Sequence, residues 1–86
     1  MPIISTFFGI VVRVFHDDHE PPHVHVQYGE HKAVVEIATG RILAGRLPPR
    51  VRRILLEWLR LRRNEVVKAW TIAREQRIPP RVRPLE

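Results

Sequence analysis

All five histidines of the 86-residue chain fall between positions 16 and 31. The densest run is His16-Asp17-Asp18-His19-Glu20-Pro21-Pro22-His23-Val24-His25. Histidine titrates near neutral pH, and a neighbouring carboxylate selects its tautomer, so such a run can carry general acid–base chemistry. Arginines close by to hold phosphate would suit metal-independent RNA cleavage. A His-x-His pair on a strand also presents two imidazoles on one face, and His19 or an aspartate could supply a third metal ligand. A hydrogen-bonded structural pair is the third use. Histidine spacing alone leaves all three open. The two prolines ahead of His23 stiffen the approach to it. His16 and His31 read as solvated or turn residues.

These residues need strands to position them. The stretch from Phe8 to Phe15 is rich in valine, isoleucine and phenylalanine, which predicts a first strand. Ile10, Val12 and Val14 share one of its faces, and Val11, Arg13 and Phe15 the other. His16 to Pro22 must be a loop, because proline cannot donate to a central ladder. From His23 to Tyr28 the chain alternates as a second strand. Gly29-Glu30 suits a two-residue hairpin turn with glycine first. A third strand is expected from His31 to Ile37, a turn at Thr39-Gly40, and a short fourth strand from Arg41 to Ala44. Together these form an antiparallel meander.

The turn sets the register. If Gly29-Glu30 is the whole turn, Tyr28 pairs with His31, His25 faces Val34, and His23 faces Glu36. Ala33, Val35 and Ile37 then join Val24 and Val26 on the core face. A slip of one residue would ruin the apolar pattern of both strands at once. The expected cluster on the other face is His23, His25 and Glu36, with Glu36 orienting His23.

Pro48-Pro49 suits a helix start, where a missing N–H costs little. Val51, Ile54, Leu55, Trp58 and Leu59 then follow helical spacing, with Arg50, Arg53, Glu57 and Arg60 opposite. Asn64 is a candidate N-cap for a second helix whose buried stripe is Val66, Ala69, Trp70 and Ala73. One long helix bent near Asn64 is the rival. Trp58 and Trp70 are expected in the core. The predicted fold is α+β: an antiparallel β-meander of three to four strands, followed by one or two C-terminal α-helices packed on one face. Residues 1–86 form a single domain, with the meander and histidine block at 1–45, a basic helical part at 48–77 and an extended tail at 78–86.

Charge divides the chain. Residues 1–40 hold 2 basic and 5 acidic side chains, a net of −3; residues 41–86 hold 13 and 4, a net of +9, giving the overall +6. The asymmetry points to an acidic partner, either RNA or another polyanion, or a small acidic protein. Arg13, Arg52, Arg53, Arg60 and Arg63 are the candidate phosphate-binding residues, because arginine forks onto phosphate or carboxylate. Without cysteine, neither a disulfide nor a thiolate metal site is available. No apolar run approaches the roughly 20 residues that span a membrane. The start, Met1-Pro2-Ile3-Ile4-Ser5, lacks a basic n-region and cleavage site, so no signal peptide and a cytoplasmic location are expected.

Several motifs carry a resemblance. The stretch Ile4-Ser5 through Gly9-Ile10, then Asp18-His19-Glu20-Pro21-Pro22-His23-Val24-His25-Val26, resembles a small prokaryotic family known as domain of unknown function 4160. Tyr28-Gly29-Glu30, Leu47-Pro48-Pro49 and Trp58 match its turn, its helix start and its tryptophan-bearing helix. Val24 replaces the usual phenylalanine on the core face. The resemblance covers nearly the whole chain and implies more about fold than about activity. It marks Asp18, His19, His23 and His25 as functional, since they match the block position by position. It also implies one half of a two-gene, toxin–antitoxin-like module.

The leading expectation is therefore a toxin-like protein acting on RNA, a candidate metal-independent ribonuclease without a cofactor. His23 would be general acid or base, with His25 or His19 as its counterpart. A small acidic antitoxin-like protein would be the partner. The alternatives are a non-enzymatic nucleic-acid- or protein-binding regulatory module, and a domain that binds zinc through His19, His23 and His25.

Overall fold

The computed structural model describes residues 2–16 and 18–86. Met1 and Asp17 lie outside the described residues. Five strands precede one helix: β1 Ile3–Phe7, β2 Ile10–Arg13, β3 His23–Tyr28, β4 His31–Glu36, β5 Ile42–Gly45 and α1 Pro49–Arg74. The strands form one sheet in chain order, β1-β2-β3-β4-β5, with every neighbour antiparallel.

The sheet has five strands where sequence patterning predicts three to four. The extra strand is β1, which folds back onto β2 through Phe8 and Gly9. Both turn residues have positive φ, 50° and 80°. Tight hairpins require that geometry, and glycine, asparagine or aspartate usually supplies it. Here a phenylalanine fills the first position and is mostly exposed. Its apolar side chain disguised the turn as the start of a strand.

The hairpin of β3 and β4 has the expected register. His23 pairs with Glu36, His25 with Val34, and Tyr28 with His31. Val12, Val24, Val26, Ala33 and Val35 are buried on the face that receives α1. On the other face the loop between β2 and β3 covers the His23 end, and Arg13, Gln27 and Val34 are half-buried. A cross-strand row of Arg13, His25, Val34 and Ala44 runs over that face.

Helix α1 is one element, with Pro49 in its first turn and a single non-helical residue, Arg62 (φ −119°, ψ 17°). The bend thus falls two residues before the expected Asn64, and a separate second helix does not form. Val51, Leu55, Trp58 and Leu59 before the bend, and Val66, Ala69, Trp70 and Ala73 after it, are buried, as their spacing requires. Ile54 is only partly buried. No helix is long and apolar enough to cross a membrane among the described residues.

The tail beyond residue 77 is extended and packed. Val82 N–H donates to the Ile4 carbonyl at 2.7 Å, and the Trp58 indole donates to the Arg83 carbonyl at 2.7 Å. Val82 is buried, and Leu85 packs against the core. The outer edge of β1 is thereby covered by chain that carries three prolines.

At the opposite edge, Gly45 is the residue β5 depends on. Its φ is +81°, and a Cβ there would collide with the Lys32 carbonyl oxygen and with the Ala33 backbone. Neither obstacle is a movable side chain. Positive φ alone costs an L side chain roughly 1–2 kcal/mol, so Gly45→Ala is expected to destabilise the fold by about 2 kcal/mol or more. Urea unfolding checks this: a midpoint equal to the native one would show that β5 does not need this close approach.

Candidate functional site

The loop between β2 and β3 is fastened to the far end of α1. His16 Nδ1 lies 3.1 Å from the Ala73 carbonyl. The Arg74 guanidinium donates to the Glu20 carboxylate at 2.6 Å. That guanidinium also sits 5.2 Å from the centre of the Trp70 ring. These ties hold the loop against the helix on both sides of Asp18. The peptide bond from Glu20 to Pro21 is cis.

Asp18 is the centre of the site. Its Oδ2 lies 3.0 Å from His23 Nε2 and 3.3 Å from His25 Nε2. The three ligand-capable atoms all lie within 4.8 Å of one another. The Asp18 side chain is 11% exposed, His23's 6% and His25's 28%. Trp70 stands behind His23, ring centres 6.5 Å apart. Phe15 stacks on His25 at 3.9 Å and 20°. Each imidazole is therefore held against an aromatic ring of the scaffold.

Hydrogen bonding then restricts what His23 can be. Its Nδ1 lies 2.7 Å from the Pro21 carbonyl. A carbonyl only accepts, so Nδ1 carries a proton. In a neutral ring Nε2 is then a lone pair, and it faces a carboxylate oxygen at 3.0 Å. That contact is attractive only with a proton or a metal cation between the two atoms. Both His23 nitrogens are engaged, and the ring is almost wholly buried. Proton exchange with a substrate at His23 has no open nitrogen to use.

The other sequence-derived residues divide. His19 lies beside the cluster, its Nδ1 3.8 Å from Asp18 Oδ1 and its ring 5.7 Å from that of His23. It is 88% exposed. Glu36 faces His23 in register, but its carboxylate accepts from the Thr39 hydroxyl at 2.8 Å. Among the described residues, no hydrogen bond or ion pair joins Glu36 to His23. Arg13 is the cross-strand neighbour of His25 and donates to the Gln27 amide oxygen at 3.1 Å. Among the described residues its charge meets no carboxylate. Arg63 spends its Nε–H on the Ile37 carbonyl. Arg52, Arg53 and Arg60 are exposed on α1. Counted from Trp70 at 1.5 Å per residue, Arg60 is about 15 Å and Arg53 about 25 Å along the helix. Those arginines cannot share one phosphate with the histidines.

Sequence reasoning missed the loop-to-helix ties through His16 and Arg74, and the aromatic walls Phe15 and Trp70. These contacts span many residues, and no local pattern announces them. Asp18 was marked by the resemblance to the family block, whereas register alone favoured Glu36. A groove of 530 Å³ continues from His25 over the open sheet face and includes Arg13, Phe15, Gln27, Lys32 and Val34 in its lining.

A five-stranded meander backed by one bent helix, with an aspartate and two histidines converging where the loop meets the sheet, defines a small α+β domain with a metal-competent cluster. The chain belongs to the family described as Domain of unknown function (DUF4160), whose model matches residues 9–71. No curated protein and no solved structure matches it.

Proposed function

We propose that Asp18, His23 and His25 hold one divalent ion of the zinc class, and that this centre cleaves phosphate esters of RNA in a toxin-like protein. The observation that carries the reading is His23, whose Nδ1–H is committed to Pro21 while its Nε2 faces Asp18. Tetrahedral zinc with bonds near 2.0–2.1 Å sets its ligand atoms about 3.3 Å apart. The two contacts to Asp18, 3.0 and 3.3 Å, match that spacing. A backbone carbonyl on the remote nitrogen of a ligating histidine is the usual way such a ring is oriented. Two nitrogens and one oxygen suit zinc, and also iron or manganese.

Three protein ligands leave a position open, as in hydrolytic rather than structural zinc sites. An ion held there would activate water and polarise a phosphoryl oxygen. The chain's own residues do the rest. Pro21 and Trp70 fix His23, and Phe15 fixes the plane of His25. Arg13, in the same cross-strand row as His25, and Lys32 in the adjoining groove supply cations for phosphate. His19, exposed beside Asp18, is the histidine free to exchange protons with substrate. The RNA-directed expectation is retained, and the metal-independent step is replaced by a metal-assisted one.

Calorimetric titration of chelator-stripped protein with zinc tests this directly. One ion per chain is expected, and cobalt(II) in its place should give the visible absorption of a low-coordinate nitrogen–oxygen site. Absence of zinc uptake at millimolar concentration would leave a proton-bridged Asp18–His23 pair as the correct account. Cleavage of a single-stranded RNA probe that persists after chelation would return the chemistry to His19 and His25 alone.

A further inference from the structure

The arginines of the first half of α1 have no role in the site above. They have a place of their own, at the other edge of the sheet. Strand β5 is last in the sheet order and pairs only with β4. Part of its backbone N–H and C=O groups therefore points away from any neighbour. Beside it runs a groove of 440 Å³ between β5 and α1. Ile42, Leu47 and Leu56 give it an apolar lining, and Arg46, Arg52 and Arg53 rim it. All three arginines are exposed, and none enters an ion pair among the described residues.

We propose that this edge binds an extended acidic peptide segment of a partner protein, added to β5 as a sixth strand. Three features point to this occupant. An open strand edge offers main-chain hydrogen bonds to another strand, which is the general mode of strand addition. The apolar lining takes alternate side chains of such a strand, because its residues point by turns to opposite faces. The three arginines, uncompensated within the fold, match carboxylates on the remaining positions. A single-stranded nucleic acid would want aromatic platforms for its bases, and this groove contains none. The surface lies in the half of the chain with net charge +9, from 13 basic and 4 acidic residues. It is independent of the histidine cluster and of any ion there.

The test uses the full chain and a short synthetic peptide of alternating valine and glutamate, labelled for fluorescence anisotropy. A dissociation constant below about 100 μM at low salt is expected, weakening as salt rises. The variant Arg52→Glu/Arg53→Glu should bind on the order of tenfold more weakly or worse, with an unchanged circular dichroism spectrum, since both side chains are exposed. Amide exchange at Ile42 and Gly45 should slow when peptide is bound, because the register with β4 turns Leu43 and Ala44 inward and leaves these two amides on the outer edge. No binding at millimolar peptide would overturn the proposal. So would binding without protection of β5, equal competition by an oligouridylate through the same arginines, or a native dimer in which a second copy already occupies β5. Zinc uptake by the double variant should equal that of the native chain, so failure here and failure of the metal centre are read separately.

Discussion

Asp18→Asn is expected to bind zinc at least about 100-fold more weakly than the native chain, because even partners behind the ligands are worth 10–100-fold. One Asp18 carboxylate oxygen touches both imidazoles, at 3.0 and 3.3 Å. Asparagine keeps the shape and removes the charge. Its amide can still donate to the lone pair on His23 Nε2, so the metal-free protein should fold nearly as well as the native one. The difference appears on adding the ion. Zinc at about 100 times its dissociation constant stabilises a native state that alone binds it by about 2.7 kcal/mol. In a domain of this size that is a rise of about 10–20 °C in the melting midpoint. Thermal melts with and without zinc check this: the native protein should show the rise and Asp18→Asn should not. Equal rises in both proteins would remove Asp18 from the site.

Trp58→Ala carries the largest expected loss of stability. The side chain is fully buried, its ring centre lies 5.1 Å from that of Phe7, and its indole N–H donates to the Arg83 carbonyl. One residue thus joins helix, first strand and tail. Emptying a buried tryptophan site costs about 3–5 kcal/mol through lost burial and the cavity left behind. The Arg83 carbonyl would lose its donor as well. Domains of this size hold only about 5–10 kcal/mol in total, so the variant should melt at least about 15 °C lower. Trp58→Phe should fall between native and Trp58→Ala, since it keeps one aromatic ring but loses the N–H and the volume of the second ring. A melt of Trp58→Ala within a few degrees of native would show that Trp58 does not tie the tail to the core.

Much of the sheet and helix was legible because apolar spacing is a local signal. The turn at Gly29-Glu30, read with the alternation of His23 to Tyr28, yields the register of β3 and β4 that the structure has. Spacing also marks the eight buried residues of α1. The misses have physical causes. Strand β1 was hidden because Phe8 occupies a positive-φ turn position that its side chain does not advertise. Between the two helical alternatives, local spacing could not decide, and the one that forms is the single helix bent near Asn64, with its kink at Arg62. At the site, register correctly placed Glu36 across from His23, yet the contact goes to Asp18. Register sets backbone neighbours; a loop folding over the strand decides which carboxylate arrives. That loop is held by Ala73 and Arg74, more than fifty residues later in the chain. Charge was legible as a total and misleading as a location. Of the arginines counted as phosphate ligands, Arg13 neighbours His25, while Arg60 and Arg53 lie about 15 and 25 Å along the helix from Trp70.

The packed tail has a consequence for assembly. An antiparallel ladder can polymerise only if each unit offers two free edges. Here Val82 is bonded to Ile4 along β1, and the prolines around it cannot extend the pairing, while β5 stays open. Each molecule is therefore monovalent in strand pairing. Two copies, or one copy and one foreign strand, exhaust the available edges, and a third has nowhere to add. The fold can offer one edge to a partner without seeding a fibre.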